Sequence, residues 1–400
     1  MKIGETGRWA LAILLLSVAW VTTLDIPRSA AAEAYDVDVI LSLTGGASFL
    51  GKTKQQSLEL AEKWVNGNGG IQGRTLHLVF HDDQSSPQTA VQLASQVAAN
   101  HPAVEIGANL VAMCNAMAPI MQNGPMMYCL SPGIHPPAGS YVFTSSVSTY
   151  DLSKVLIRYF RMKGWTKLAL MTSTDASGQD AEKGIDANLA LPENKDIQVV
   201  AREHFNPTDV SVSAQIENIK AAHPQAFIAW STGAPIGTIF KGIVQAGLDV
   251  PVGTTDGNMT FAQMMQYADF LPAQLYIPAA EWATHGTSLK RDPAILAAQE
   301  RFTSTFKMAG IMPDVASALA WDPAMIMVDT LRQLGPNATA PQVREYVSHL
   351  KGYAGVNGIY DFERVPQRGL DESDAVVTLW DPAKKTWATM SEPAGKPLAQ

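Results

Sequence analysis

Val37-Asp38-Val39-Ile40-Leu41-Ser42-Leu43 runs straight into Thr44-Gly45-Gly46-Ala47-Ser48-Phe49-Leu50-Gly51. The first stretch alternates as a strand does, and the second is a glycine loop. A helix follows, with Leu58, Ala61 and Val65 at core spacing. It stops in Asn66-Gly67-Asn68-Gly69-Gly70-Ile71-Gln72-Gly73-Arg74, where glycine supplies the positive φ that a helix end needs. Residues 75–80 read as the next strand, His81-Asp82-Asp83 as an acidic turn, and Pro87 as the start of a second helix. This β-loop-α-turn-β-loop-α order is the grammar of a parallel α/β sheet. Ligand-facing loops then lie at the carboxyl ends of the strands.

The pattern repeats along the chain. Residues 103–106 read as a strand before Gly107-Ala108-Asn109-Leu110-Val111-Ala112, and 126–130 as a strand before Ser131-Pro132-Gly133-Ile134-His135-Pro136-Pro137. Strands at 167–171, 197–201, 226–230, 251–253 and 275–280 follow, three of them leading into Thr172-Ser173-Thr174-Asp175-Ala176-Ser177-Gly178, Ser231-Thr232-Gly233-Ala234-Pro235 and Thr254-Thr255-Asp256-Gly257-Asn258. Helices are expected at 293–309 and 314–334, and Thr339-Ala340-Pro341-Gln342 marks a third by its capping-box pattern. Two alternating strands, 375–380 and 386–390, precede a polar tail expected to be free from 393 to 400.

The amino terminus reads as an export signal. Lys2 and Arg8 precede an apolar run, and Ala30-Ala31-Ala32 offers small residues for cleavage before Glu33. From 9 to 24 the run is about 16 residues, short of the roughly 18–20 that span a bilayer, and Asp25 interrupts it. The remaining chain of about 368 residues is long enough for two sizeable cores. Net charge is −8, and the 29 Lys and Arg residues form no stripe or run. That distribution disfavours nucleic acid or an anionic membrane surface as partner.

Catalytic apparatus is hard to find. Gly233 to Gly237 has the glycine spacing of a nucleophile elbow but holds Pro235 where serine would sit. Gly67-Asn68-Gly69 follows a helix and lacks the third glycine of a dinucleotide loop. His77 and His81 share a strand face, but four residues of strand separate them by about 13 Å, too far to share an ion. Met113, Met117 and Met121 recur at helical spacing, as adaptable core side chains do. No cofactor is implied. In the expected topology Cys114 opens a helix and Cys129 closes the next strand at the same sheet edge, so a disulfide is sterically possible in an exported chain. Two separately buried thiols are the alternative.

The opening segment and the loop positions resemble periplasmic solute-binding proteins of the branched-chain amino-acid ABC importer type. Those chains share a Thr/Ser-Gly loop, an Asn-x-x-Gly-Gly-Ile-x-Gly turn, an Asp-Asp strand end and an aromatic-Asp-Ala helix motif, similar here to Ala320-Trp321-Asp322-Pro323-Ala324. The resemblance implies the type I periplasmic binding fold: two Rossmann-like α/β lobes with parallel central sheets joined by three crossover segments. Lobe one would be 35–147 plus 282–355, and lobe two 148–281 plus 356–392. Tyr141-Val142-Phe143-Thr144 would be the first crossover and Gly355-Val356-Asn357-Gly358-Ile359-Tyr360 the third.

The same resemblance implies a ligand between the lobes, touched by Phe49 and Leu50 in the opening loop and by Trp282. Val111, Ala112 and Met113 correspond to a stretch where amino-acid binders carry hydroxyls. Ser131, Gly133 and His135 align with the segment that holds a ligand head group. Ser177 replaces a tyrosine, Trp230 and Thr232 keep an aromatic-hydroxyl loop, and Asp256 matches the acidic residue that takes an ammonium. Each has a structural alternative: Val111 and Ala112 as packing residues, Trp230 as strand core, Asp256 as a helix cap. The expected protein is a monomeric, non-enzymatic periplasmic binder that hands a small molecule to an inner-membrane ABC permease. The apolar first loop and the lost tyrosine point to an aromatic carboxylate. Branched-chain amino acids are the alternative ligand, and a ligand-sensing domain the alternative role.

Overall fold

A computed structural model of the chain describes residues 33–285 and 291–398; the export-signal reading of residues 1–32 lies outside the described residues. Five strands, β1 (Tyr35–Leu41), β2 (Leu76–Asp82), β3 (Val104–Gly107), β4 (Met126–Cys129) and β5 (Val142–Thr144), form an all-parallel sheet in the order β2-β1-β3-β4-β5. The second sheet begins with β6 (Lys167–Ser173), β7 (Gln198–Phe205), β8 (Ala226–Trp230), β9 (Val252–Gly253) and β10 (Leu275–Ala280), which run parallel in the order β7-β6-β8-β9-β10. Each set has the same doubly wound order, in which the second strand lies on one side of the first and the later strands on the other. Two sheets of one design thus arise from halves with no sequence repeat. This is the type I periplasmic binding fold.

Helices α1 (Ser48–Gly67), α2 (Pro87–Ala99), α3 (Val111–Met117), α4 (Thr149–Met162) and α5 (Ala176–Leu189) connect the strands. The buried face of α1 reads Leu50, Lys54, Leu58, Ala61 and Val65, one residue per turn toward the core. It packs on the helix Val315–Leu334, where Ser57 Oγ donates to the Ser317 carbonyl at 2.7 Å. The methionine stripe is core: Met113, Met117 and Met121 are buried with Cys114 and Cys129 between the first sheet and α2. Cys114 and Cys129 form a disulfide, with a Cα–Cα distance of 6.0 Å, that ties α3 to the end of β4.

Three local expectations change. Residues 142–144, expected as an extended first crossover, pair with β4 as the edge strand β5. Gly355 to Gly358 turns a two-stranded hairpin, β11 (Lys351–Ala354) with β12 (Ile359–Asp361), closed by Gly355 N donating to the Gly358 carbonyl at 2.9 Å. The end of the chain is anchored rather than free at residues 393–395, where Arg158 Nη1 donates to the Ala394 carbonyl at 2.6 Å. Before that, β13 (Ala375–Asp381) adds antiparallel to β10, and β14 (Thr386–Thr389) to β13, completing a seven-stranded second sheet.

The hairpin turn is held by Asp322. Its Oδ1 accepts from Val356 N at 2.8 Å, and its Oδ2 from Asn357 N at 3.0 Å, Asn357 Nδ2 at 2.9 Å and Tyr360 Oη at 3.0 Å. The carboxyl is fully buried, and burial raises its pKa to about 6 against the lowering pull of these donors. Replacing Asp322 with Ala strands four donors at once. We expect Asp322→Ala to cost about 3 kcal/mol or more, read as a lower urea midpoint at unchanged m-value. A midpoint within error of the wild type would show that water or relaxation replaces the carboxylate.

Candidate functional site

A doubly wound sheet opens a crevice where its strand order reverses, because the loops leaving the two strands there diverge to opposite faces. In the first sheet this point lies between β1 and β3, and in the second between β6 and β8. Loops from both points line one cavity: Leu50 and Lys54 of α1 with Asn109, Leu110 and Val111 after β3, then Ser177 after β6 with Trp230 and Thr232 after β8. Ser131, Pro132 and Gly133 after β4, Thr149, Thr255, Gly257 and Leu319 complete the lining. The cavity is small, about 20 Å³ counted as room for the centre of a water-sized sphere. The two sets of loops are therefore nearly in contact.

Two contacts close it. Ala234 N donates to the Gly46 carbonyl at 2.9 Å, joining the opening glycine loop to the loop after β8. Gly233 sits at φ +86°, and a Cβ there would lie 2.7 Å from the same carbonyl, so only glycine permits this approach. On the other side His135 Nε2 meets Asp180 Oδ1 at 2.8 Å and its ring packs on Tyr150 at 4.5 Å. Beneath the loop after β4, buried Arg368 donates to the carbonyls of Pro132 (3.1 Å), Ile134 (2.6 Å) and Ser146 (3.0 Å). A guanidinium satisfied by three carbonyls fixes that loop's backbone while sitting outside the cavity.

Seven of the residues expected at the ligand line the cavity: Leu50, Val111, Ser131, Gly133, Ser177, Trp230 and Thr232. Ser177 Oγ and Thr232 Oγ1 are hydrogen-bonded to each other at 2.8 Å. Six expected residues lie elsewhere. Phe49 packs edge-on against Tyr267 with ring centroids 6.2 Å apart, and Ala112 and Met113 belong to the core under α2 and α3. His135 is directed to Asp180 rather than to the cavity. Trp282 stacks on His285 at 4.4 Å and meets Phe302 edge-on at 4.7 Å, in a separate surface cleft with Phe261 and Trp387. Asp256 is fully buried, accepts from Ser146 Oγ (3.2 Å) and Thr255 Oγ1 (3.1 Å), and does not reach the lining.

Sequence reasoning missed Lys54 and Asn109. Lys54 has no exposed surface, and its Nζ donates to the Leu130 carbonyl. Burial lowers its pKa to about 7, while the Asp256 and Asp314 carboxylates pull it back up. The same burial raises Asp256 and Asp314 to about 6. Asp314 is otherwise occupied capping the helix Val315–Leu334, accepting from Ser317 N at 2.9 Å, and from Phe261 N at 3.1 Å. A signal for Lys54 was present: it stands four residues before Leu58, on the face that buries Leu58, Ala61 and Val65. Asn109 carried no pattern, since only the fold brings it to Ser42.

Residues 36–380 match the family model described as periplasmic binding protein, and the chain belongs to that family. A Leu/Ile/Val-binding protein homolog of Brucella melitensis is 25% identical over 246 residues, which span 60% of this chain and 65% of that protein's length. Among solved structures, an extracellular ligand-binding receptor of Rhodopseudomonas palustris matches with a TM-score of 0.79 at 18% identity, over 89% of this chain and 99% of its own. A branched-chain amino acid transporter substrate-binding protein of Streptococcus pneumoniae, in complex with isoleucine, matches with a TM-score of 0.73 at 17% identity, covering 92% and 98%. A solute-binding protein of R. palustris in complex with benzoate matches with a TM-score of 0.74 at 18% identity, covering the same shares. Among the described residues no helix is long and apolar enough to cross a membrane.

The buried charges make stability depend on pH in a definite direction. Lys54 titrates at about 7 when folded but near 10.4 when unfolded. Between pH 7 and 9 the unfolded chain therefore binds more protons and stability rises with pH. Asp256, Asp314 and Asp322, at about 6 when folded, work the other way from about pH 4 to 6. Their contribution is present at low pH and is lost as pH rises through 6. Urea unfolding of ligand-free protein should show a gain of about 2 kcal/mol at most from pH 7 to 9. Lys54→Met should flatten that segment, and an equal gain in the variant would assign it to other groups.

Proposed function

We propose that this member of the periplasmic binding protein family captures a small organic acid in the cavity between its two sheets, an aromatic carboxylate before others. It delivers that acid to the permease of an ABC importer in the inner membrane. One observation carries the ligand class. Among the described residues lining the cavity none is acidic, whereas one, Lys54, is a potential cation. An amino acid would bring an ammonium into a buried space without a carboxylate to meet it, and an uncompensated buried charge costs several kcal/mol. A carboxylate alone would instead meet the Lys54 ammonium. Leu50, Leu110, Val111, Leu319 and the face of Trp230 supply the apolar wall that a ring needs. The benzoate complex of the R. palustris relative supports the same reading.

Ligand entry requires the cleft to open, because a ring is far larger than the present cavity. In the motion we propose, lobe one (35–147 and 282–355) swings from lobe two (148–281 and 356–392), breaking Gly46–Ala234, His135–Asp180, Phe49–Tyr267 and Phe261–Asp314. Such hinge closure leaves the ligand's bonds unchanged and creates the closed form that a permease recognises. A second reading, branched-chain amino-acid binding, is favoured by the name of the Brucella relative and by the isoleucine complex. It would require Asp256, adjacent to lining Gly257, to turn toward the ligand.

A thermal-shift panel separates the two. Ligand at 100 times its dissociation constant stabilises by about 2.7 kcal/mol, a rise of roughly 2–4 °C for a chain of this size. We expect benzoate and hydroxybenzoates to give that rise and leucine, isoleucine and valine not to. Tight leucine binding that Asp256→Asn abolishes would replace the aromatic-acid reading with the amino-acid one.

A further inference from the structure

We infer that Lys54 and Asn109 form the head-group end of the cavity, holding the ligand's carboxylate, and that Lys54 is the residue that turns away an α-ammonium. The inference rests on the reading of this cavity as the ligand site, but not on the ligand being aromatic.

Asn109 is 1% exposed. Its Oδ1 accepts from Ser42 N at 2.7 Å, and since a backbone N–H demands an acceptor, this bond fixes which end of the amide is oxygen. Its Nδ2 then faces the interior with no hydrogen-bond partner. A buried donor left unmade is costly, and such groups in folded proteins call for an explanation. Lys54 adds to the demand. An ammonium has three donors, and among the described residues its one hydrogen bond goes to the Leu130 carbonyl.

Both residues line the same cavity, at the crevice between β1 and β3. The groups acting on Lys54 from the elements packed around it are Asp256 beside lining Gly257, Asp314 at the cap of the helix Val315–Leu334, and the Leu130 carbonyl after β4. Neither carboxylate lines the cavity. Where these two donors stand, the cavity therefore sees a positive group and an amide N–H with the Asp256 and Asp314 carboxylates behind them, while a third carboxylate, Asp180, holds its unpartnered Oδ2 beside lining Gly133. A carboxylate oxygen satisfies both. An ammonium in the same place sets donors against donors and a charge against its like.

Calorimetry with two matched pairs tests this on the wild type, Lys54→Met and Asn109→Asp. The second variant keeps an oxygen for Ser42 N, removes the amide donor and sets a carboxyl group against the ligand's own carboxylate. The pairs are 4-methylpentanoate with leucine, which differ by the ammonium, and benzoate with benzyl alcohol, which differ by the carboxylate. We expect the wild type to bind at least one of the two carboxylates, about tenfold or more tighter than its partner. Each variant should lose about tenfold for the carboxylate and leave the alcohol unchanged, the loss expected of a charge-assisted hydrogen bond. Binding of 4-methylpentanoate without benzoate would end the aromatic reading and uphold the head-group assignment. Leucine bound as tightly as 4-methylpentanoate, carboxylate affinities unchanged in Asn109→Asp, or a folded wild type that takes neither carboxylate would overturn it. If Lys54→Met does not fold, the wild-type pairs and Asn109→Asp still decide.

Discussion

One buried ammonium organises the centre of this molecule. Lys54 leaves α1 on the face that should carry an aliphatic residue, and its Nζ reaches the carbonyl of Leu130 at the end of β4. Removing a cation from water costs far more than a single hydrogen bond returns, so compensation must come from charge. Asp256 from the second sheet's loops and Asp314 from the cap of the helix Val315–Leu334 provide it. Three distant parts of the chain are thereby set around one group. Burial still pushes all three toward neutrality, Lys54 downward and both carboxyls upward, so the arrangement is responsive to pH and to any ligand charge that enters.

Around that centre, closure is made by backbone rather than by long side chains. Gly46 and Ala234 meet carbonyl to amide, which is possible because Gly233 has no Cβ to place against Gly46. The opposite side is a hydrogen-bonded contact between half-exposed His135 and nearly buried Asp180. Neither contact is strong alone. A single exchangeable hydrogen bond contributes about 1 kcal/mol net, and a partly exposed ion pair less than that. Such weak clasps suit a cleft that has to open, since the ligand can then tip the balance between states.

The hairpin and the loop after β4 are, by contrast, strongly held. Asp322 holds the hairpin at Val356, Asn357 and Tyr360 with four hydrogen bonds, and Arg368 donates two to the loop after β4 and one to Ser146 after β5. Both groups are buried and hydrogen-bonded several times over, Asp322 by two backbone amides and two side chains and Arg368 by three carbonyls, the condition under which a buried charge is tolerated. The disulfide between Cys114 and Cys129 secures the remaining loose element, the two-turn α3 that carries Val111 into the cavity.

How much of this could be read from residues alone follows from the range of the forces involved. The β-loop-α periodicity of residues 36–100, the glycine stop after α1 and the capping box at Thr339 are local, and each appears where the spacing predicted it. Loop positions follow from strand ends, which is why Leu50, Val111, Ser131, Gly133, Ser177, Trp230 and Thr232 reach the cavity. Side-chain direction within a loop is not local. Phe49, Met113, His135, Asp256 and Trp282 turn to partners such as Tyr267, Asp180, Ser146 and Phe302 that lie well away in sequence. Pairing of the cysteines was open for the same reason, since spacing cannot show that two sulfurs meet. The sequence by itself determined the strands, the helices and the crevice-forming loops, because periodicity and glycine chemistry act over a few residues. Only the tertiary structure decided that Lys54 and Asn109 line the crevice and Asp256 stands behind it, because burial and charge compensation are properties of the whole packed interior.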